Sequence, residues 1–264
     1  STAGLSAVST GSQILNLVTF VVTQLAMGVT VLIARYLGEK RPEQISAVLG
    51  GAAVVFTILS VGIFILLVGF ARPISVLMQA PEETIGLTAS YVRICGGGIF
   101  FIVAYNLLSA IFRGLGDSRS PLLFVLVACL VNIAGDLLLV AGLKMDAAGA
   151  AAATVLAQAV SVVFAIVMLV KKDLPFTIKK SDFRLDVQCR KFLEIGLPLA
   201  LQEFLRQHPE ITTIELRLDN DAKGRMASVN IQNLYREKYQ VCDLPPDIEN
   251  GDYADMAKNN LMAR

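Results

Sequence analysis

The stretch Pro121-Leu122-Leu123-Phe124-Val125-Leu126-Val127-Ala128-Cys129-Leu130-Val131-Asn132-Ile133-Ala134-Gly135-Asp136-Leu137-Leu138-Leu139-Val140-Ala141-Gly142-Leu143 decides the fold. A bilayer core of about 30 Å needs about 20 apolar residues in one helix. This run is long enough, and its one charged residue is Asp136. Outward from it, four more runs meet the same test: 11–34, 45–70, 92–112 and 147–170. A sixth, at 192–205, contains Ile195-Gly196-Leu197-Pro198-Leu199-Ala200-Leu201 and is too short to span.

The loops set an orientation. Arg35, Lys40 and Arg41 flank the first, Arg113 and Arg119 the third, and seven Lys or Arg lie between Lys171 and Lys191 in the fifth. The second and fourth hold little beyond Arg72 and Lys144. Positive charge is retained on the cytoplasmic side, so the odd-numbered loops are expected inside and the N-terminus outside. Arg93, near the outer end of the third span, departs from this pattern. The fold class expected is an all-α polytopic membrane protein of the cytoplasmic (inner) membrane. Its partner is the lipid bilayer, and no obligate protein partner is implied.

The chain is 55% hydrophobic, and its net charge of +1 argues against a protein that coats nucleic acid. Cys95, Cys129, Cys189 and Cys242 show no paired spacing, so neither a disulfide nor a zinc site is expected. His208 has no metal-ligand or catalytic companion. The bilayer ends near residue 205: of 45 charged residues, 18 follow that position, too many for a hydrocarbon solvent. The domains read as 1–205, transmembrane, and 206–264, a short α/β tail on the cytoplasmic side.

Asp136 is the candidate functional residue. A carboxylate near a helix centre costs about 2.5–3.5 kcal/mol on insertion scales, so such residues face a cavity or a partner. A penalty of that size favours the protonated acid and suits a group that exchanges a proton. Asn132 lies four residues earlier on the same face. Asp136 and Thr154 are each nine residues from Met145, which at ~1.5 Å per residue puts both ~13 Å below one surface. Oxygen donors from Asn132, Asp136 and Thr154 could hold a proton or Na+. The alternative is that Asp136 only hydrogen-bonds a neighbouring helix. Gln24 and Gln158 are candidate cavity-lining residues. Gln13, Asn16, Thr19, Thr23 and Thr30 read equally well as cavity lining or as helix contacts, and Gly96-Gly97-Gly98 as close helix packing.

Arg113-Gly114-Leu115-Gly116-Asp117-Ser118-Arg119-Ser120-Pro121, Asn132-Ile133-Ala134-Gly135-Asp136, Gly149-Ala150-Ala151 and Ala34-Arg35-Tyr36-Leu37-Gly38-Glu39 together resemble the multidrug and toxic compound extrusion (MATE) family over 1–205. The resemblance implies twelve helices in two lobes that export drugs and organic cations in exchange for Na+ or H+. It aligns the spans with that family's helices 2–6 and the sixth run with the start of helix 7. A cation site is implied at Asn132, Asp136 and Thr154, without the family's first-helix aspartate. A truncated chain inactive on its own, joined near 202–209 to an unrelated segment by a rearranged gene, a mobile-element insertion or an assembly error, is the matching expectation. No enzymatic activity is expected.

In the tail, Ile211-Thr212-Thr213-Ile214-Glu215-Leu216-Arg217-Leu218 alternates as a strand. It leads into Asp219-Asn220-Asp221, a helix expected over 224–239 and a strand over 240–243. Asp219 and Asp221 are candidate Mg2+ ligands, and the pair reads equally well as an acidic, solvated turn that holds no metal. The order is similar to the second half of a Toprim domain, with Gly251-Asp252-Tyr253-Ala254-Asp255 as a later acidic turn. That implies an alternative function, a metal- and nucleic-acid-binding protein of a mobile element. The glutamate such a domain needs on an earlier strand is missing, so no nuclease, primase or topoisomerase activity is expected.

Overall fold

The computed structural model describes residues 2–172, 182–184, 186–207, 210–218 and 221–245. They form two compact units, divided between Ala200 and Leu201. In the first, α1 (Thr2–Gly38) and α2 (Pro42–Gly69) are followed by the short α3 (Ala71–Leu77), then α4 (Ile85–Gly97) and α5 (Ile99–Gly114). Next come α6 (Arg119–Asp136), a π-helical turn (Leu137–Gly142), α7 (Asp146–Val170) and α8 (Val187–Gln207), whose last residues, from Leu201, belong to the second unit. Among the described residues four helices are long and apolar enough to cross a membrane, and the bent pair α4–α5 meets the same test when its two halves are taken as one span.

That bend corrects the third expected span. Residues 92–112 are not one straight helix: the chain breaks between Gly97 and Ile99 and turns by 51°. Three successive glycines favour the break, because each weakens a helix by about 1 kcal/mol relative to alanine. Two of them also serve packing, as expected. A Cβ on Gly96 would lie 2.7 Å from Leu67 Cβ, and one on Gly98 2.5 Å from Val155 Cγ1.

The polar residues of α1 resolve toward helix contacts at two positions. Thr23 Oγ1 lies 2.8 Å from Asn106 Oδ1, and Thr30 Oγ1 donates to the Ala110 carbonyl at 3.0 Å, so both tie α1 to α5. The core beneath them is aliphatic, with Val22, Ala26, Val29, Ile33, Ile45 and Ile99 all but fully buried.

The Arg113–Pro121 motif is a built corner. Gly116 takes φ +81°, open to glycine at no steric cost. The Gly116 amide donates to Arg113 O at 3.0 Å and the Asp117 amide to Phe112 O at 2.9 Å, the paired bonds that close a Schellman end on α5. Gly114 lets α5 approach α1: a Cβ there would lie 2.8 Å from Ile33 Cβ. Asp117 then opens α6, accepting from the Ser120 amide at 3.0 Å and the Ser120 hydroxyl at 2.8 Å. Lys172, at the far end of α7, donates to Asp117 Oδ2 at 2.6 Å and stands 5.2 Å from the Phe112 ring centroid. One residue thus fastens three helix ends, α5 through its amide and α6 and α7 through its carboxylate. Lys172 and the Ser120 amide hold the Asp117 carboxyl well below the usual carboxylate range.

The expected short sixth segment is a 21-residue helix, α8, with Pro198 inside it. It starts before the apolar run and does not meet the test for a span. Its first half docks through glycine, since a Cβ on Gly28 would overlap the Phe192 carbonyl oxygen. Tyr36 donates to Gln188 Oε1 at 2.9 Å, and Gln188 donates to Gln44 Oε1 at 2.6 Å.

In the second unit, β1 (Thr213–Leu216) and β2 (Gln240–Asp243) pair in parallel, Thr213 opposite Gln240, around α9 (Ala222–Tyr235). Parallel neighbours need a crossover, and α9 supplies it. Only these two short strands are found among the described residues, so the order of elements matches expectation while the wider Toprim likeness is not reproduced. Asp221 Oδ1 accepts from the Gly224 amide at 2.6 Å and caps α9. Asp219, His208 and the 251–255 turn lie outside the described residues.

Candidate functional site

α6 and α7 pack closely because small residues face each other: a Cβ on Gly135 would lie 2.9 Å from Ala153 Cβ. Across this contact the polar residues fall into two groups. Asn132 Nδ2 stands 3.5 Å from Thr154 Oγ1, at the outer limit of a hydrogen bond, and the threonine hydroxyl also reaches the Ala150 carbonyl at 2.9 Å. Both line a cavity of about 270 Å³ with Tyr105, Cys129 and Gln158. Gln158 Oε1 is buried there with no hydrogen-bond partner.

Asp136 lines a different cavity, of about 420 Å³, with Leu5 and Val8 of α1, Ala150, and a second carboxylate, Asp146. Its Oδ1 is buried and makes no hydrogen bond. A buried acceptor without a donor is costly in a medium that cannot hydrogen-bond. Tyr91 of α4, 4% exposed, packs in the same apolar cluster as Ile14 and Leu15 of α1 and Ala151 of α7.

The expected three-residue cluster therefore separates. Asn132 and Thr154 meet, and Asp136 sits about one turn away toward the loop. The physical reason is the π turn at Leu137–Gly142, where Leu143 N donates to Leu138 O at 2.9 Å and Met145 N to Leu139 O at 3.0 Å. The wider turn takes up more residues, so counting ~1.5 Å each from Met145 sets Asp136 too deep. Such π bulges recur at functional sites. Gln24, half-buried on α1, lines neither cavity.

Asp146, Tyr105 and Tyr91 were not singled out from the sequence. Asp146 precedes a long Ala-rich helix and reads there as an ordinary first-turn acid. Its φ of +53°, unusual for a residue other than glycine, is visible only in the fold. In the second unit the capping role of Asp221 occupies one of its oxygens. Among the described residues, no group of three or more His, Cys, Asp or Glu is placed to hold a metal.

Residues 1–138 match the MatE family model. The chain is 33% identical over 127 residues to the probable multidrug resistance protein YpnP of Bacillus subtilis, covering 48% of this chain and 28% of that protein. It is 29% identical over 197 residues to the probable multidrug resistance protein YoeA of the same organism, covering 71% and 42%. Among solved structures, it resembles the inward-facing conformation of a multidrug resistance MATE family transporter, with TM-score 0.72 and 28% identity over 76% of this chain and 46% of that one. The outward-facing conformation of such a transporter gives TM-score 0.70 at the same identity over 76% and 45%. The chain thus spans less than half the length of these relatives.

Proposed function

The chain belongs to the MatE family, and on that premise we propose that residues 1–205 act as one lobe of a multi-pass exporter of amphipathic or cationic drugs, driven by Na+ or H+. Asp136 is the coupling group in this reading. The observation that carries it is the buried, unpartnered Oδ1 of Asp136 in a cavity shared with Asp146. A proton or a cation would satisfy that oxygen and change the charge of the cavity. Asn132 and Thr154, on the other side of the α6–α7 contact, then face the cavity of Tyr105 and Gln158, where neutral polar groups among apolar walls suit an amphipathic compound.

The near-equal likeness to inward- and outward-facing relatives supports a lobe that moves as one body. The orientation proposed places the N-terminus outside and loops one, three and five in the cytoplasm, because that puts the basic residues on one side. The Asp117–Lys172 corner then lies on the cytoplasmic face. The 201–264 unit is left without a nucleic-acid role, and Mg2+ binding at Asp219 and Asp221 stays a separate proposal.

The test uses a whole two-lobe transporter that contains this segment, reconstituted in vesicles. Asp136→Asn keeps the shape of the side chain but cannot ionise. It should leave insertion intact while uncoupling drug efflux from the ion gradient. Wild-type efflux with wild-type pH dependence in that variant would leave Asp136 as a helix contact only.

A further inference from the structure

The two arginines that the positive-inside pattern does not explain meet in one place. Arg72, the second residue of α3, and Arg93, on α4, line a cavity of about 650 Å³ with Glu82 from the 3-10 turn between these helices. Its α4 wall is small, formed by Gly86, Ala89 and Ser90, and a Cβ on Gly86 would meet nothing within 4 Å. Among the described residues neither arginine forms an ion pair, although Glu82 faces the same space. The cavity sits where α2 ends and α4 begins, the opposite end of the bundle from the Asp117–Lys172 corner.

A cationic side chain on a spanning helix extends toward the headgroup layer, and it is costly unless a counter-charge meets it there. Guanidinium groups match phosphate oxygens in shape as well as charge, through paired N–H donors. Two of them beside one carboxylate give the cavity a net charge of +1 and an acceptor for a cation. A purely anionic headgroup would leave Glu82 opposed to it. A headgroup that carries both a phosphodiester and an ammonium satisfies all three side chains.

We propose that Arg72, Arg93 and Glu82 form a binding site for a zwitterionic phospholipid, taking its phosphodiester at the two arginines and its ammonium at the glutamate. The site rests on the membrane placement proposed above and is independent of drug transport.

Native mass spectrometry of the detergent-purified chain tests it, with titrations of phosphatidylethanolamine and phosphatidylglycerol of identical acyl chains. The expected result is at least tenfold tighter binding of phosphatidylethanolamine. The Arg72→Gln/Arg93→Gln double variant should lose at least tenfold of that affinity, and Glu82→Gln should abolish the preference between the two lipids. Wild-type affinity in the double variant would overturn the proposal. So would displacement of the lipid by inorganic phosphate at millimolar concentration, which would assign the cavity to a soluble anion. If the double variant does not fold, Arg93→Gln alone must still weaken lipid binding, and unchanged binding there has the same force. Failure of the membrane reading would show separately, as recovery of the chain in the detergent-free soluble fraction.

Discussion

Replacing Asp117 by alanine should destabilise the helical unit by about 2 kcal/mol. Two contributions make up that figure. The loss of a side-chain cap on α6, where the Ser120 amide donates at 3.0 Å, costs about 1 kcal/mol. The Lys172 contact at 2.6 Å joins side chains only 33% and 23% exposed, so it is worth about 1 kcal/mol, the upper end for surface pairs. Asp117→Asn keeps an acceptor for the cap and loses the charge, so it should cost about half as much. The assay is thermal unfolding in detergent, read by a thiol-reactive dye as the buried Cys95 and Cys189 become accessible. At about 2–4 °C per kcal/mol for a unit of this size, alanine should lower Tm by about 4–8 °C. The pH dependence adds a second reading. Asp117 is held below its ordinary range in the folded state, so its contribution is present above the unfolded value of about 4 and is lost as pH falls below that toward the folded value. The gap between wild type and Asp117→Asn should therefore narrow as pH drops below about 5. An alanine variant within 1 °C of wild type would refute the corner as a fastening point, and so would a gap that widens on acidification.

Gly116→Ala should cost about 1 kcal/mol in the same melt, because an alanine at φ +81° enters the left-handed region; an unchanged Tm would contradict the Schellman geometry. Gly28→Val should displace α8 from α1, since even a Cβ there overlaps the Phe192 carbonyl, and Cys189, now 6% exposed, should become reactive to maleimide without heating. Thr154→Ala removes a weak 3.5 Å contact with Asn132, so efflux in the whole transporter should fall far less than with Asp136→Asn, with a binding loss of about 1 kcal/mol or less. Equal losses from the two would argue that Thr154 is itself a coupling ligand.

The sequence by itself determined the class of protein, marked the apolar runs long enough to span, and singled out Asp136 as the one charge within the run 121–143. Hydrocarbon length and the cost of an intramembrane charge are local properties, so runs such as 121–143 and the exception at Asp136 can be read one helix at a time. The polar stretch after residue 205 was legible for the same reason, and so was its strand–helix–strand order. Tertiary structure alone decided which polar groups share a space. The π turn after Asp136 shifts the register of α6 against α7, so Asn132, and not Asp136, meets Thr154. Asp136 is joined instead by Asp146 and the start of α1, partners far apart in sequence. The 51° bend at Gly98 and the meeting of Arg72 with Arg93 belong to the same category. Periodicity gives the face of one helix, but depth and neighbours depend on every residue that a turn takes up between two faces.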